Sequence, residues 1–307
     1  MGSDNKIYIN APAKVNFYLR ILGRRRDGYH DIETLMQKLD LTDAIELQLQ
    51  DRGISLESSD NSLPPGSDNL AYKAAQAFLD AYTVQTGVSV KLGKRIPVAA
   101  GLGGGSSDAA AVLNGMNILL GKPLDEEHLL EIARPLGADV PFFVSSMSSA
   151  WASGIGDCLE KAEVFWQGPI VLVNPGFPVS TKWVYQNFAL TRQGNPYMLG
   201  REKIDAKKST LSARDVEKIV FNDLETVTLK EFPEIKRIKD KMLAMGAAGS
   251  LMSGSGPTVF GLFEAESSAM QCVQEFSKKY GDNVFLCRPY RCDDHAGASS
   301  SGKDTGL

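Results

Sequence analysis

The chain has 307 residues, of which 43% are hydrophobic and 23% are charged, and its formal net charge is −4. This acidic balance argues against nucleic acid as the main partner, and no apolar stretch approaches the roughly 18 residues that cross a membrane. The first residues lack the apolar core of a signal peptide, and the length predicts two domains. The four cysteines are dispersed and form no C-x-x-C pair, which is typical of reduced thiols in a cytoplasmic protein.

The N-terminal half combines strand patterns with helix patterns. Runs of apolar residues predict strands, and Asp27-Gly28 marks a turn between two of them. The polar segment 58–69 predicts a loop, and its last two residues, Asp68 and Asn69, are good caps for a helix with one apolar face. The predicted strands are residues 7–9, 15–22, 45–49 and 88–92; the helix face is Leu70, Ala74, Ala77, Phe78 and Ala81; and a further helix, 125–136, stops at Gly137.

The C-terminal half ends in a regular order of elements. After a buried strand and a polar stretch with little periodicity come a helix, a hairpin, a helix and a strand, which suits an α+β sandwich with an antiparallel sheet. The tail is rich in Ser, Gly and Asp, which predicts disorder. The predicted elements are strand 170–173, helix 234–245, hairpin 249–263, helix 266–280 and strand 283–286. The predicted domains are 1–160 and 161–292, followed by the tail 293–307.

Residues 97–111, PVAAGLGGGSSDAAA, place four glycines and two serines ahead of a helix pattern that ends at Gly121. The candidate helix caps are Ser106, Ser107 and Asp108. A strand, a glycine loop and a helix N-terminus together collect free N–H groups and the positive end of the helix dipole, so phosphate is the expected ligand. The spacing fits neither a P-loop nor a dinucleotide fingerprint. A flexible loop before a well-capped helix is the alternative interpretation.

Two residues elsewhere suit phosphoryl transfer, which needs a group that accepts the proton of the attacking hydroxyl. Asp139, in LGADVP, stands past a helix end and two residues before a proline, so its backbone is constrained. Lys14, in APAKVN, interrupts small and apolar residues, and an ammonium beside a carboxylate favours the ionised acid. The alternatives are a helix cap or Asx turn for Asp139 and an edge-strand guard for Lys14.

Asp108 raises a separate question. An acid in the first turn of a helix complements the helix dipole, yet an acid beside a triphosphate repels it. A Mg²⁺ ion between Asp108 and the phosphates would resolve this conflict. A plain helix cap is the alternative.

The motifs together resemble those of the GHMP kinases, the superfamily of galactokinase, homoserine kinase and mevalonate kinase. Its three signatures are similar to PAKVN at 12–16, PVAAGLGGGSS at 97–107 and SGSGPT at 253–258. With RRDGYH at 25–30 and LGADVPFF at 136–143, the chain most resembles the branch that phosphorylates a CDP-linked methylerythritol in isoprenoid precursor synthesis. The resemblance runs from about residue 7 to residue 289.

The resemblance implies an α+β protein of two domains. The N-terminal domain would be a ribosomal-protein-S5-like α/β domain, the C-terminal domain would be ferredoxin-like, and the site would lie in the cleft between them. Asp139 would accept the proton with Lys14 as its partner, ATP would be the co-substrate, and Mg²⁺ would be carried by ATP, with no protein residue assigned as its ligand. The expected ATP-binding residues are Pro97, Val98, Ala99, Ala100, Gly101, Leu102, Gly103, Gly104, Gly105, Ser106 and Ser107.

The resemblance also implies a site for the cytidine end of the substrate. Tyr29 offers a stacking face, and neutral His30 offers a hydrogen-bond donor and an acceptor to a base edge. A second aromatic residue is expected from the other domain, where Trp183 and Phe177 are alternatives to Tyr185. The expected substrate-binding residues are Asn16, Tyr29, His30, Thr181 and Tyr185.

Three other functions remain open on the sequence. A homoserine kinase is the first alternative, although a substrate without a base has no use for RRDGYH. A catalytically silent nucleotide-binding regulator is the second, and the presence of both Lys14 and Asp139 counts against it. A nucleic-acid-binding protein is the third, and the net charge of −4 disfavours it. The expected partners are therefore small molecules, and the expected assembly is a monomer or a weak homodimer.

Overall fold

A computed structural model describes residues 5–82, 86–163, 166–191, 216 and 220–290; the predicted tail and most of the polar stretch after Thr191 lie outside the described residues. The described strands are β1 Lys6–Arg24, β2 His30–Gln50, β3 Ile54–Ser58, β4 Gly87–Gly93, β5 Ser149–Ser153, β6 Cys158–Lys161, β7 Ile170–Val173, β8 Phe221–Asn222, β9 Gly249–Met252, β10 Val259–Leu262 and β11 Val284–Cys287. The described helices are α1 Leu70–Tyr82, α2 Gly104–Leu119, α3 Glu126–Ala133, α4 Val140–Val144, α5 Thr181–Thr191, α6 Glu225–Glu231, α7 Pro233–Ala244 and α8 Glu266–Tyr280.

A long antiparallel hairpin of β1 and β2 forms the base of the first sheet. The predicted turn closes it, and Gly28 has φ +91° there, a conformation that favours glycine. The predicted strands 15–22 and 45–49 are parts of these two longer strands. The pairing register shifts between Asn16 and Tyr18. Such a bulge bends the strand and redirects its side chains.

The first sheet has seven strands within the described ranges. Their order is β3-β4-β2-β1-β8, with β5 paired to β2 and β6 paired to β5. The sequence pattern does not predict β3, β5, β6 or β8, which are only two to five residues long. Helices α1 and α2 cover one face of the sheet and share a core with it that includes Phe78, Met116 and Phe142.

Helix α1 is capped as the sequence predicts, because Asn69 Oδ1 accepts a hydrogen bond of 2.9 Å from the N–H of Ala71. Its predicted apolar face is partly wrong. The buried stripe is Ala71, Ala74, Ala75 and Phe78, at the i, i+3, i+4, i+7 spacing of one helix face, whereas Ala81 is exposed.

Helix α2 begins at Gly104, before all three residues that the sequence predicts as its cap. Its N-cap is Gly103, whose φ of +72° turns the chain directly into the helix at Gly104. The prediction that Ser106, Ser107 or Asp108 caps the helix is therefore wrong, since all three lie inside it. The cap position is filled by the one residue type that adopts a left-handed φ at no steric cost.

The helix predicted at 125–136 ends earlier than predicted because a proline interrupts it. Helix α3 stops at Ala133, and a 3₁₀ turn follows from Arg134 to Leu136. Pro135 has no N–H to donate, so the α-helical hydrogen-bond pattern cannot continue through it. The short helix α4 then begins after Asp139, which occupies its N-cap position.

The second sheet is fully antiparallel, with the order β11-β7-β10-β9. The predicted order of helix, hairpin, helix and strand is confirmed as α7, β9–β10, α8 and β11. The α+β fold class is likewise confirmed.

A shared core joins the two sheets. Phe17 of β1 meets Phe260 of β10 edge-on, with ring centroids 5.6 Å apart, and both rings are fully buried. Leu39 of β2 and Leu172 of β7 belong to the same apolar cluster. This packing fixes the two halves beside one another and leaves a cleft along their junction.

Candidate active site

The cleft encloses about 1570 Å³ and brings together segments from both halves of the chain. The side chains of two predicted site residues do not line it, because Leu102 packs into the shared core and Ser107 is buried in α2. The predicted residues that line the cleft are Lys14, Asn16, Tyr29, His30, Pro97, Val98, Ala99, Ala100, Gly101, Gly103, Gly104, Gly105, Ser106, Asp139, Thr181 and Tyr185.

The glycine loop lies against a second glycine-rich loop, SGSGPT at 253–258. Gly101 has φ +77°, and a Cβ atom placed on it would lie 2.1 Å from the carbonyl oxygen of Ser253, so no other residue fits there. The Ser253 hydroxyl in turn donates a 2.9 Å hydrogen bond to the carbonyl of Gly101. The C-terminal half therefore holds the loop in place, which the sequence motifs do not reveal.

The first turn of α2 opens into this cleft. Gly104, Gly105 and Ser106 have no preceding turn to supply carbonyl partners for their N–H groups, so these donors and the positive end of a 16-residue helix are available to an anion. Around Gly105 there is open space, since a Cβ atom built on it meets nothing within 4 Å. The arrangement suits a phosphate group.

Lys14 and Asp139 meet at the wall of the cleft. Lys14 Nζ lies 3.3 Å from Asp139 Oδ2 and donates a 2.6 Å hydrogen bond to Asn16 Oδ1. The backbone N–H of Lys14 also donates to the carbonyl of Leu102, which joins strand β1 to the glycine loop. The lysine side chain is 6% exposed and the aspartate side chain 32%, so the carboxylate is the member of the pair that a substrate can reach.

Thr34, which the sequence does not single out, orients Asn16. Its hydroxyl donates to the carbonyl of Tyr18 at 2.6 Å and therefore accepts, at 2.8 Å, from the amide nitrogen of Asn16. This turns the amide oxygen of Asn16 towards Lys14. A threonine on a strand carries no signal of such a role, because the partners are 16 and 18 residues away.

Lys38 is a second residue whose role the sequence does not reveal. It is buried, and its ammonium donates a 2.8 Å hydrogen bond to the carbonyl of Ser145, just beyond the end of α4, while lying over the ring of Phe142. A cation at a helix C-terminus complements the helix dipole. Lys38 thus anchors α4, the helix that begins directly after Asp139.

A cluster of aromatic side chains lines the end of the cleft away from the glycine loop. The rings of His30 and Tyr185 lie 5.2 Å apart, and Tyr29 beside them is 62% exposed. Burial lowers the pKa of His30, and the positive charge of Arg24 lowers it further, so the ring is neutral at pH 7. Burial raises the pKa of Tyr185, and so does the charge of Asp139.

The two alternative aromatic residues lie elsewhere. Phe177 stacks on Phe232 with ring centroids 5.1 Å apart, and Trp183 meets the same ring edge-on. Thr181, by contrast, faces the cleft and shares a 2.8 Å hydrogen bond with the hydroxyl of Ser255 in the second glycine-rich loop. Of the three candidate aromatics, Tyr185 is therefore the one that lines the cleft.

Comparison with known proteins decides the family. The model of the GHMP kinases N terminal domain matches residues 69–147, and the model of the GHMP kinases C terminal domain matches residues 206–282. The chain belongs to the GHMP kinase family. Two similar relatives are the 4-diphosphocytidyl-2-C-methyl-D-erythritol kinases of Geobacter sp. (strain M21), 48% identical over 90% of this chain and 96% of that protein, and of Geobacter sulfurreducens, 47% identical over 88% and 94%.

Solved structures show the same GHMP kinase fold. A crystal structure of 4-(cytidine 5'-diphospho)-2C-methyl-D-erythritol kinase is 35% identical, with a TM-score of 0.74 over 92% of this chain and 98% of that chain. A homoserine kinase from Cytophaga hutchinsonii is 20% identical, with a TM-score of 0.67 over 94% and 96%, which shows the fold alone.

Asp108 of this GHMP kinase lies in a buried cluster with Asp43 and Lys94. Lys94 Nζ contacts Asp43 Oδ2 and lies 2.6 Å from Asp108 Oδ2. Asp43 Oδ1 also accepts hydrogen bonds from the N–H groups of Arg95 and Ile96. The Oδ2 atom of Asp108 is therefore already paired with an ammonium, which disfavours this oxygen as a ligand for Mg²⁺.

The described residues contain no group of three or more His, Cys, Asp or Glu side chains placed to hold a metal ion. Their helices also include none that is both long enough and apolar enough to span a bilayer.

Proposed function

We propose that this protein catalyses the ATP-dependent phosphorylation of 4-diphosphocytidyl-2-C-methyl-D-erythritol at its 2-hydroxyl, a step in isoprenoid precursor synthesis. The observation that carries the proposal is the contact between Lys14 and Asp139 in one cleft with the first turn of α2. The named relatives, 47–48% identical over most of both chains, support the choice of substrate.

Asp139 is the proposed proton acceptor. The hydroxyl oxygen of the substrate attacks the γ-phosphorus of ATP, the bond from that phosphorus to the β,γ-bridging oxygen breaks, and the hydroxyl proton passes to the Asp139 carboxylate. Lys14, held by Asn16, places a positive charge where the attacking oxygen becomes negative.

The glycine loop is the proposed phosphate site. Transferring a phosphoryl group involves little covalent work for the protein, so positioning and charge stabilisation dominate catalysis. The N–H groups of the first turn of α2 and the dipole of that helix supply both. As a kinase of this family, the protein uses ATP as its co-substrate.

The aromatic end of the cleft is the proposed cytidine site. Tyr29 presents an exposed ring for stacking, and Tyr185 lies next to His30 from the C-terminal half. The Nε2 atom of His30 is buried without a hydrogen-bond partner. A base edge would supply that partner, because a buried polar atom left unpaired is costly.

Homoserine kinase is the weaker candidate. The homoserine kinase similar to this chain is 20% identical and supports the fold alone. Homoserine has no base to stack on Tyr29 or to pair with His30. The presence of both Lys14 and Asp139 likewise disfavours a silent regulator.

Several properties remain predictions. We expect Mg²⁺ to be held by the phosphates of ATP, which agrees with the pairing of Asp108 to Lys94. We also expect a cytoplasmic monomer or weak homodimer that binds no nucleic acid, and a domain boundary near residue 160.

An assay of ADP release tests the proposed function. The wild-type protein and Asp139→Asn are compared on 4-diphosphocytidyl-2-C-methyl-D-erythritol, homoserine and mevalonate. The proposal requires that the cytidine-linked substrate alone stimulates ADP release well above background, and that Asp139→Asn loses this stimulation. Faster turnover with homoserine would instead assign the protein as a homoserine kinase.

A further inference from the structure

Asp43, Lys94 and Asp108 form a cluster of two carboxylates and one ammonium behind the glycine loop. All three side chains are at most 6% exposed. Two ionised carboxylates and one ammonium leave a net charge of −1 in a buried place. Such a charge is costly unless a proton or a further cation neutralises it.

The two carboxylates of the cluster differ in their hydrogen bonds. Asp43 uses both oxygens, one for Lys94 and the other for two backbone N–H groups. Asp108 uses only Oδ2, and its Oδ1 atom is buried without a hydrogen-bond partner. The carboxylate oxygen of the cluster that can still form a hydrogen bond is therefore Oδ1 of Asp108. Asp108 lines the same cleft as the glycine loop.

Asp108 lies one helical turn after Gly104, on the face that holds Lys94. A Cβ atom on Gly104 would lie 3.5 Å from Lys94 Nζ, so the cluster contacts the first turn of α2. Phosphates bound at that turn would add negative charge close to a carboxylate in surroundings that screen it poorly. A nearby like charge favours the neutral form of an acid.

We propose that Asp108 meets the phosphates of the nucleotide as a neutral acid, so that the protein takes up one proton from solvent when ATP binds. The proposal rests on the proposed function, because it needs ATP at the glycine loop. A protonated carboxyl group donates its O–H, whereas an ionised one can only accept. Asp108 then attracts a phosphate oxygen instead of repelling it.

The charges around Asp108 agree with this role. Burial raises the pKa of Asp108 to about 7; Lys94 opposes this increase and Asp43 adds to it. Burial lowers the pKa of Lys94, but the two carboxylates outweigh this effect and the net shift is upward, so Lys94 stays charged. The hydrogen bonds from Ser62, together with the charge of Lys94, lower the pKa of Asp60 in the loop after β3. A pKa raised to near neutrality leaves Asp108 in the free protein able to take up a proton at pH 8.

Calorimetry of ADP binding at pH 8.0 in buffers of different ionisation enthalpy measures this proton directly. At that pH the ADP phosphates are already ionised, so they contribute little to the proton count. We expect the wild-type protein to take up between about half a proton and one proton per ADP. Adenosine, which lacks phosphates, should give no uptake.

Two variants distinguish proton uptake by the cluster from proton uptake by other groups in the cleft. Asp108→Asn keeps the shape and a donor but has no titratable group, so it should bind ADP at least as tightly as the wild type at pH 8 and take up no proton. Asp68→Asn removes an exposed acid that also lines the cleft, and it should retain the uptake.

The results that would overturn this inference differ from the result that would overturn the proposed function. ADP binding to the wild type with no buffer dependence would overturn the inference and leave the proposed function intact, as would uptake that persists in Asp108→Asn. Failure of ADP to bind the wild type would overturn the proposed function, and the inference with it.

Discussion

The ammonium of Lys14 lies 3.3 Å from the carboxylate of Asp139, although the two residues are 125 positions apart in the chain. Strand β1 supplies the lysine and the N-cap of α4 supplies the acid. The backbone of β1 also bonds to the glycine loop through Leu102. The same strand thus connects the proposed phosphate site with the proposed proton acceptor.

Asp139→Asn should lower kcat by roughly 10²–10⁴-fold, the range for loss of a general base. The amide keeps the shape of the side chain but accepts a proton poorly. Steady-state kinetics with saturating ATP and substrate measure the effect, and thermal unfolding measures stability. A variant with half of the wild-type kcat would remove Asp139 from the mechanism, as would a fall in Tm large enough to account for the lost activity.

Gly105→Ala should weaken ATP binding by more than about 10-fold without lowering Tm. The added methyl group meets no protein atom within 4 Å, and alanine is a better helix former than glycine, so the fold tolerates it. The methyl group would instead occupy space that the phosphates need. Calorimetry with ATP measures the affinity. Unchanged affinity would place the phosphates away from this turn.

Gly103→Ala should lower both stability and activity, which makes it the contrast to Gly105→Ala. Gly103 has φ +72°, and a Cβ atom on it would lie 2.8 Å from a ring carbon of Phe143 and 3.1 Å from Lys14 Cγ. A left-handed φ costs a residue with a Cβ about 1–2 kcal/mol, and Lys14 must shift to make room. Thermal unfolding together with kcat checks this, and a variant with wild-type values for both would contradict the geometry.

The parts of the fold that the sequence predicts well are those in which local pattern and tertiary packing agree. Helix 266–280 has a clear apolar stripe, and its predicted bounds match α8. Strand 170–173 is continuously apolar because both of its faces are buried, and it too matches. In these elements no distant contact is needed to set the outcome.

The rest depends on contacts between distant residues. The middle of β2 carries Thr34, Gln37 and Lys38, which interrupt the apolar alternation yet are buried. Thr34 and Lys38 donate hydrogen bonds to carbonyl groups that are distant along the chain. The start of α2 is set by the φ of Gly103, whereas three good capping residues follow it and mislead the prediction. Likewise, no motif pairs Asp43 with Lys94, which are 51 positions apart.

Glu234→Gln should destabilise the protein at neutral pH by about 1 kcal/mol, because solvent partly screens a network at the surface. Glu234 lies in the first turn of α7 and accepts hydrogen bonds from Lys279 and Tyr280 at the end of α8. The hydrogen bond from Lys279, with those from Tyr280 and Arg237, lowers the pKa of Glu234 to about 2.

The stabilisation that Glu234 contributes depends on pH, and the direction of this dependence follows from the lowered pKa of Glu234. The ionised form stabilises the fold fully above the unfolded pKa of about 4.5, and this contribution is lost as pH falls from there towards about 2. Chemical denaturation at pH 7 and at pH 3.5 should therefore show a smaller difference between wild type and Glu234→Gln at the lower pH. Asp240→Asn, which breaks an exposed pair with Lys236 in the same helix, should change little at either pH. An equal effect of Glu234→Gln at both pH values would rule out the network as its cause.

Tyr29→Ala should raise the KM for the cytidine-linked substrate by about 5- to 150-fold, since stacking of a base on an aromatic ring is worth roughly 1–3 kcal/mol. The KM for ATP should hardly change, because the proposed phosphate site at the glycine loop is separate from the proposed cytidine site. The ring is 62% exposed in the free protein, so its removal should leave Tm unchanged. Tyr29→Phe keeps the stacking face and should be nearly silent. If Tyr29→Ala raised the KM for ATP instead, the two ends of the cleft would be assigned in reverse.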